Sequence, residues 1–173
     1  QQKRNGELNK LGLTGGTDPI RKFIDNSYND NKYVDFSNLK VAAKAPVIFI
    51  LDYDEGLDKL KKIIESNFLG EKRFSQIKSN IYILLLEKYK KLDNGKPSFQ
   101  VKENQVCIEN LIYFNNEKIE VVDDKVRYQG KSLSKNEFSQ YVIKNSNLFD
   151  FKRFQEIFIE IKNIIDHFNG NSS

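Results

Sequence analysis

Asp52 and Asp54 are the residues of this chain whose type and spacing point most directly to chemistry. They close the run Ala45-Pro46-Val47-Ile48-Phe49-Ile50-Leu51-Asp52-Tyr53-Asp54-Glu55-Gly56. Side chains alternate along an extended segment, so the two carboxylates project to the same side. Held that close they repel, and a hard divalent cation, Mg²⁺ or Mn²⁺, is the natural partner. A second chemistry makes the first aspartate a nucleophile and the second a general acid. A third use is structural, with both aspartates capping the helix that follows.

The elements that must position this pair are legible around it. Val47 to Leu51 is a continuous apolar run, β-branched and bounded by turn residues, which reads as a strand buried on both faces. Leu57, Leu60, Ile63, Ile64 and Phe68 make one apolar helical face, with Gly70 as its stop. Ile81 to Leu86 is a second fully apolar run. Strand, helix, strand at this spacing predicts a parallel βαβ unit, and ligands of such sheets collect at the carboxyl ends of the strands. The fold class is α/β.

The 173 residues carry 28 Lys+Arg against 24 Asp+Glu, a formal net charge of +4 and a pI near 9.0. That balance is compatible with nucleic acid, but no dense Arg/Lys tract marks a binding groove. A single cysteine, Cys107, excludes an internal disulfide framework and predicts a reducing, cytoplasmic setting. No stretch is long and apolar enough to span a bilayer, so no membrane partner is expected. The chain starts at Gln1 and has no methionine, which predicts a piece of a longer protein.

Upstream of the pair, Gln1 to Asn9 is polar. Leu11 to Gly16 leads into a helix from Ile20 to about Ser27, capped by Thr17 or Asp18 with Pro19 in its first turn. Asn26 to Lys40 reads as a loop. Downstream, Cys107-Ile108-Glu109-Asn110-Leu111-Ile112 sets a carboxylate among apolar residues, where an unpaired Glu109 is costly. Lys118 to Tyr128 predicts a β-hairpin turning at Asp123-Asp124. Ser134 with Glu137 is a capping box, opening a helix whose core side carries Phe138, Val142 and Ile143. Phe151, Phe154, Ile157, Phe158, Ile161, Ile164, Ile165 and Phe168 repeat at helical spacing, as core or as a partner seam. His167, the only histidine, reads as a helix-end residue, and Glu55 is expected on the face opposite Asp54.

Two families share parts of this pattern. The haloacid-dehalogenase-like phosphatases resemble it in placing Asp-x-Asp after an apolar strand. They continue Gly-Thr, where this chain has Glu55-Gly56, and Asp123-Asp124 is more simply a hairpin turn than their later acidic pair. A longer ordered set resembles a Toprim domain: Leu13-Thr14-Gly15-Gly16-Thr17 before a helix, Pro46-Val47-Ile48 running into Asp52-Tyr53-Asp54-Glu55-Gly56, then Ile81 to Leu86. More narrowly, the chain resembles the Toprim-containing carboxyl-terminal extension of retron-type reverse transcriptases. Cys107-Ile108-Glu109-Asn110-Leu111, Gly130-Lys131-Ser132 with Phe138 and Val142, and Leu148-Phe149-Asp150-Phe151-Lys152-Arg153-Phe154 look like its later segments.

That resemblance implies a Rossmannoid parallel sheet over residues 1–90, lacking its first strand, and an α+β appendage over 91–173 with a hairpin and carboxyl-terminal helices. It implies a Mg²⁺- or Mn²⁺-dependent nuclease-like activity on RNA or DNA, with a polymerase domain in the same polypeptide and a role in phage defence. Asp52 and Asp54 would hold the metal. Gly56 would make the turn after them, Glu109 would be a supporting acidic residue, and Lys131 a phosphate or transition-state contact. The family's general acid/base glutamate follows a first strand for which nothing in Gln1 to Lys10 stands in. The expectation of turnover is therefore matched by an alternative, a non-catalytic module that binds a partner or nucleic acid.

Overall fold

A computed structural model describes residues 17–29, 45–78 and 80–171. The two apolar runs form strands β1 (Val47–Leu51) and β3 (Ile81–Leu85). They pair in parallel, with Val47 opposite Ile81 and Leu51 opposite Leu85. Between them lie a 3₁₀ turn (Glu55–Leu60), helix α2 (Lys61–Asn67) and a strand that the apolar pattern does not announce, β2 (Phe74–Lys78). β2 runs antiparallel to β3, and the sheet order is β1-β3-β2. Only Phe74 and Ile77 in β2 are apolar, so its strand character comes from pairing with β3. The described sheet is thus mixed rather than all-parallel.

Leu57, Leu60, Ile64 and Phe68 are buried beneath the sheet, as their spacing predicts, and Ile63 packs at the edge of the same core. Every residue of β3 is buried, with Tyr82 to Leu85 at 0% exposure. β1 departs from the expectation of burial on both faces, because Val47 is 36% and Ile50 45% exposed. The reason is position: among the described strands β1 has a neighbour on one side alone. Helix α1 (Thr17–Asn29) lays Ile20, Phe23 and Ile24 on this core, with Phe23 edge-to-face on Phe49 at 5.7 Å. It runs on to Asn29, beyond the expected end near Ser27 and into the stretch expected to be a loop. The expectations for Gln1 to Gly16 and for residues 30–44 lie outside the described residues.

A second core follows. Short strands β4 (Tyr113–Phe114) and β5 (Glu117–Lys118) turn at Asn115-Asn116, and β6 (Glu120–Val122) and β7 (Lys125–Tyr128) turn at Asp123-Asp124. β7 continues through Gln129-Gly130 into β8 (Lys131–Ser134). All three turns hold two residues at positive φ, the mirror-image turn that suits the twist of a hairpin. Helix α3 (Lys135–Lys144) starts from a complete capping box: Ser134 Oγ accepts from the Glu137 backbone N–H at 3.2 Å while Glu137 accepts the Ser134 N–H at 2.8 Å. Phe114, Tyr128, Phe138 and Phe149, the last on β9 (Phe149–Asp150), form an aromatic cluster. Val142 packs on it, whereas Ile143, expected on the same face, is 68% exposed.

Helix α4 (Phe154–Asn171) returns to the first core, burying Ile157, Ile164 and Phe168 there. Arg73 beside β2 holds it with an ion pair to Glu156 at 2.7 Å. Phe99, Val106 and Leu111 join the same core, so packing does not divide at residue 90. The apolar stripe of α4 splits: Phe154 and Ile161 pack inward, while Phe158 is 63% and Ile165 41% exposed. His167 sits near the end of α4, its ring edge-on to Tyr82 and its Nδ1 3.0 Å from the Tyr82 hydroxyl.

Candidate functional site

β1 ends at Leu51, and the chain stays extended through Asp54. Tyr53 is the residue that holds this extension in place. Its backbone exchanges two hydrogen bonds with Val106, at 2.8 and 2.9 Å, and its ring is buried edge-on to Phe99. Its hydroxyl lies 2.6 Å from Ser98 Oγ. With Tyr53 pointing into the core, Asp52 and Asp54 must face the other way, as alternation predicts. The Tyr53–Val106 bridge also fixes what they face, because the next residue after Val106 is Cys107.

Asp52, Asp54 and Cys107 offer two carboxylate oxygens and a sulfur that all lie within 4.8 Å of one another. Each carboxylate is oriented by a backbone N–H. Asp52 Oδ1 accepts from Ile108 at 3.1 Å, and Asp54 Oδ1 accepts from Gly56 at 2.8 Å. Asp54 therefore does cap the 3₁₀ turn that follows, one of the uses foreseen for the pair, while Asp52 caps nothing in its own segment. Glu55 is exposed.

Glu109 comes to the same place from the short 3₁₀ turn Ile108–Leu111. That turn is locked by Asn110, which accepts the Cys107 N–H at 2.8 Å and donates to the Ile119 carbonyl at 2.9 Å. The Glu109 side chain is 13% exposed, and its Oε2 accepts no hydrogen bond. The nearest cation is Lys135, whose Nζ lies 3.7 Å away. Lys135 opens α3 immediately after the Ser134 cap, so the capping box fixes the backbone from which its side chain extends.

The electrostatics follow from this crowding. Burial raises the Asp52 pKa above its ordinary 3.8, and the neighbouring charges of Asp54 and Glu109 add to the rise against the pull of Lys135. Burial, with the same carboxylates, pushes the Cys107 thiol up to about 11. Burial opposes the charge on Lys135, yet the fields of Cys107, Glu109, Asp52 and Asp124 outweigh it and its pKa rises. Formally, three carboxylates against one ammonium leave two negative charges, a surplus that suits a divalent cation.

Lys131, expected as the phosphate contact, is on exposed β8. Its Nζ stands over the rings of Tyr128 and Tyr141 at 5.9 and 5.6 Å. The ammonium that reaches the acidic residues belongs to Lys135 instead. Sequence reading singled out neither Cys107 as a donor nor Lys135. Cys107 lies two residues before Glu109, a carboxylate the sequence does mark, and that nearness was the available signal.

Gly56 is required by close approach. A Cβ there would stand 2.8 Å from Asp54 Oδ1, inside contact distance, and the Gly56 carbonyl accepts the Thr17 hydroxyl at 2.7 Å. Gly56→Ala is expected to turn the Asp54 carboxylate out of the cluster and to weaken cation binding about tenfold or more while the helix content is unchanged. Calorimetric titration with Mn²⁺, alongside circular dichroism, checks this.

Mg²⁺ takes near-octahedral oxygen ligands. The two aspartates meet that requirement and the thiol beside them does not, so the oxygen pair alone is what suits Mg²⁺ or Mn²⁺. Compared with family models, with curated proteins and with solved structures, the chain matches none. Among the described residues no helix is long and apolar enough to cross a membrane.

Proposed function

We propose that this chain is a divalent-cation-dependent, nuclease-like domain acting on RNA or DNA, a Toprim-like extension of a retron-type reverse transcriptase with a part in phage defence. The observation that carries the reading is the convergence of Asp52 and Asp54 with Glu109 and Lys135 at the carboxyl end of β1. A parallel β1–β3 pair with an intervening helix supports the Toprim-like setting, as does the position of the site at the strand's end.

The chain's own residues divide the work. Asp52 and Asp54, each pinned by a backbone N–H, would hold the cation, which when bound would supply charge stabilisation at the phosphate. Lys135 presents a positive charge to a phosphate oxygen. Glu109, mostly buried and lacking a hydrogen bond at Oε2, is the group in reach to move a proton.

The test is cleavage of single- and double-stranded RNA and DNA by the chain with Mn²⁺ or Mg²⁺. Cation-dependent cleavage is expected, lost in Asp52→Asn/Asp54→Asn and reduced about 10²–10⁴-fold in Glu109→Gln. Absence of cleavage on every substrate, or cleavage untouched by the double substitution, overturns the proposal.

A further inference from the structure

We propose that Asp52, Asp54 and Cys107 form a three-ligand site for a thiophilic divalent cation, Zn²⁺ or a close relative, with the fourth position left open. This rests on the reading that the cluster holds a cation, and it names which one. Four observations carry it. The three donor atoms lie within 4.8 Å of one another and come from two segments joined by the Tyr53–Val106 bridge. Two backbone N–H groups preset both carboxylates, leaving each a second oxygen for a ligand. Asn110 fixes the backbone of the residue that carries the sulfur. The surrounding carboxylates outnumber the one ammonium by two charges, counting Glu109, whose buried Oε2 lacks a hydrogen bond.

Ligand softness decides the metal. Carboxylate and water suit Mg²⁺ and Mn²⁺, whereas a thiolate beside carboxylates selects zinc-like ions. Three protein ligands with an open fourth position is the arrangement of zinc sites that do chemistry, while structural zinc sites are closed by four. Cys107 is 9% exposed, so its sulfur is shielded from solvent. As the sulfur–metal bond forms, the thiol proton passes to solvent, so the site gains two positive charges from the cation, loses one with the proton, and ends one charge more positive.

The experiment is titration of the chain with Co²⁺, Zn²⁺ and Mg²⁺. Co²⁺ serves as the spectroscopic probe, because a cobalt–thiolate bond has a near-ultraviolet charge-transfer absorption that oxygen ligands lack. The wild-type chain is expected to develop that band and to bind Zn²⁺ more tightly than Mg²⁺ in calorimetry. Cys107→Ser should abolish the band and lose at least about tenfold in Zn²⁺ affinity, no less than the loss of an outer-shell partner, while retaining binding of Mg²⁺. Asp52→Asn/Asp54→Asn should lose every cation. Co²⁺ bound by the wild-type chain without the band, or Zn²⁺ affinity unchanged in Cys107→Ser, overturns the role of the thiol and leaves the carboxylate site standing. Failure of the wild-type chain to bind any of these ions overturns both. The band is read on the wild-type chain, so the outcome does not depend on how the variant folds.

Discussion

Asp52→Asn/Asp54→Asn is expected to reduce Mn²⁺ affinity by at least about 10²-fold and to leave the fold intact. The loss follows because the pair supplies both oxygen donors of the cluster, whose third member among the described residues is the Cys107 sulfur. The fold survives because asparagine keeps the acceptor that each carboxylate uses: Oδ1 toward Ile108 N–H at residue 52 and toward Gly56 N–H at residue 54. Stability itself should move in the opposite direction to binding. The Asp52 pKa is raised, by burial first and then by Asp54 and Glu109, so its ionised form is disfavoured in the folded chain. For such a group, stability falls as pH rises from the ordinary 3.8 through the folded value, and the penalty is complete above that value. Below 3.8 the carboxyl is protonated in both states and the penalty is absent.

Asp52→Asn removes this penalty, so at pH 7 the single variant should match or exceed the wild-type chain in thermal stability. The gap should close as pH is lowered toward 3.8. Thermal denaturation in metal-free buffer across that range measures it. A variant less stable than wild type at pH 7 would show that the carboxylate charge contributes to the fold rather than straining it. A cation bound to the folded chain would offset this cost.

Phe138→Ala is expected to cost about 3–5 kcal/mol. The ring is 1% exposed and meets Tyr128 at 5.8 Å and Phe149 edge-on at 5.9 Å, at the centre of the second core. That core is small, so the vacated volume has few neighbours able to collapse into it. The consequence reaches the site through one helix. Phe138 anchors α3, and Lys135, at the start of α3, is the ammonium beside Glu109. Loosening α3 removes the positive charge that restrains the Asp52 and Cys107 pKa values, so both should rise further. Urea denaturation gives the stability, and the pH dependence of thiol alkylation at Cys107, in the folded variant at low urea, gives the electrostatic effect. Equal stability of the variant and the wild-type chain would mean that the aromatic cluster does not hold α3.

What the chain determines locally was legible in it. The apolar runs 47–51 and 81–85 read as strands because each is short, rich in β-branched and aromatic residues and bounded by turn residues. The Asp123-Asp124 turn and the Ser134/Glu137 box depend on residues two to four apart, so their chemistry is written in sequence. The facing of Asp52 and Asp54 follows from strand alternation alone. Three features depended on contacts between distant segments. β2 is a strand because β3 offers it hydrogen bonds, although its own pattern is half polar. β1 is half exposed because of its place in the sheet order, which no property of its five residues encodes. Cys107 and Lys135 reach the aspartates through the Tyr53–Val106 bridge and the docking of α3, across separations of more than fifty residues. Asp-x-Asp thus announced a site, while its third donor and its counter-charge were decided by tertiary packing, because neither periodicity nor spacing records which distant segments are brought together.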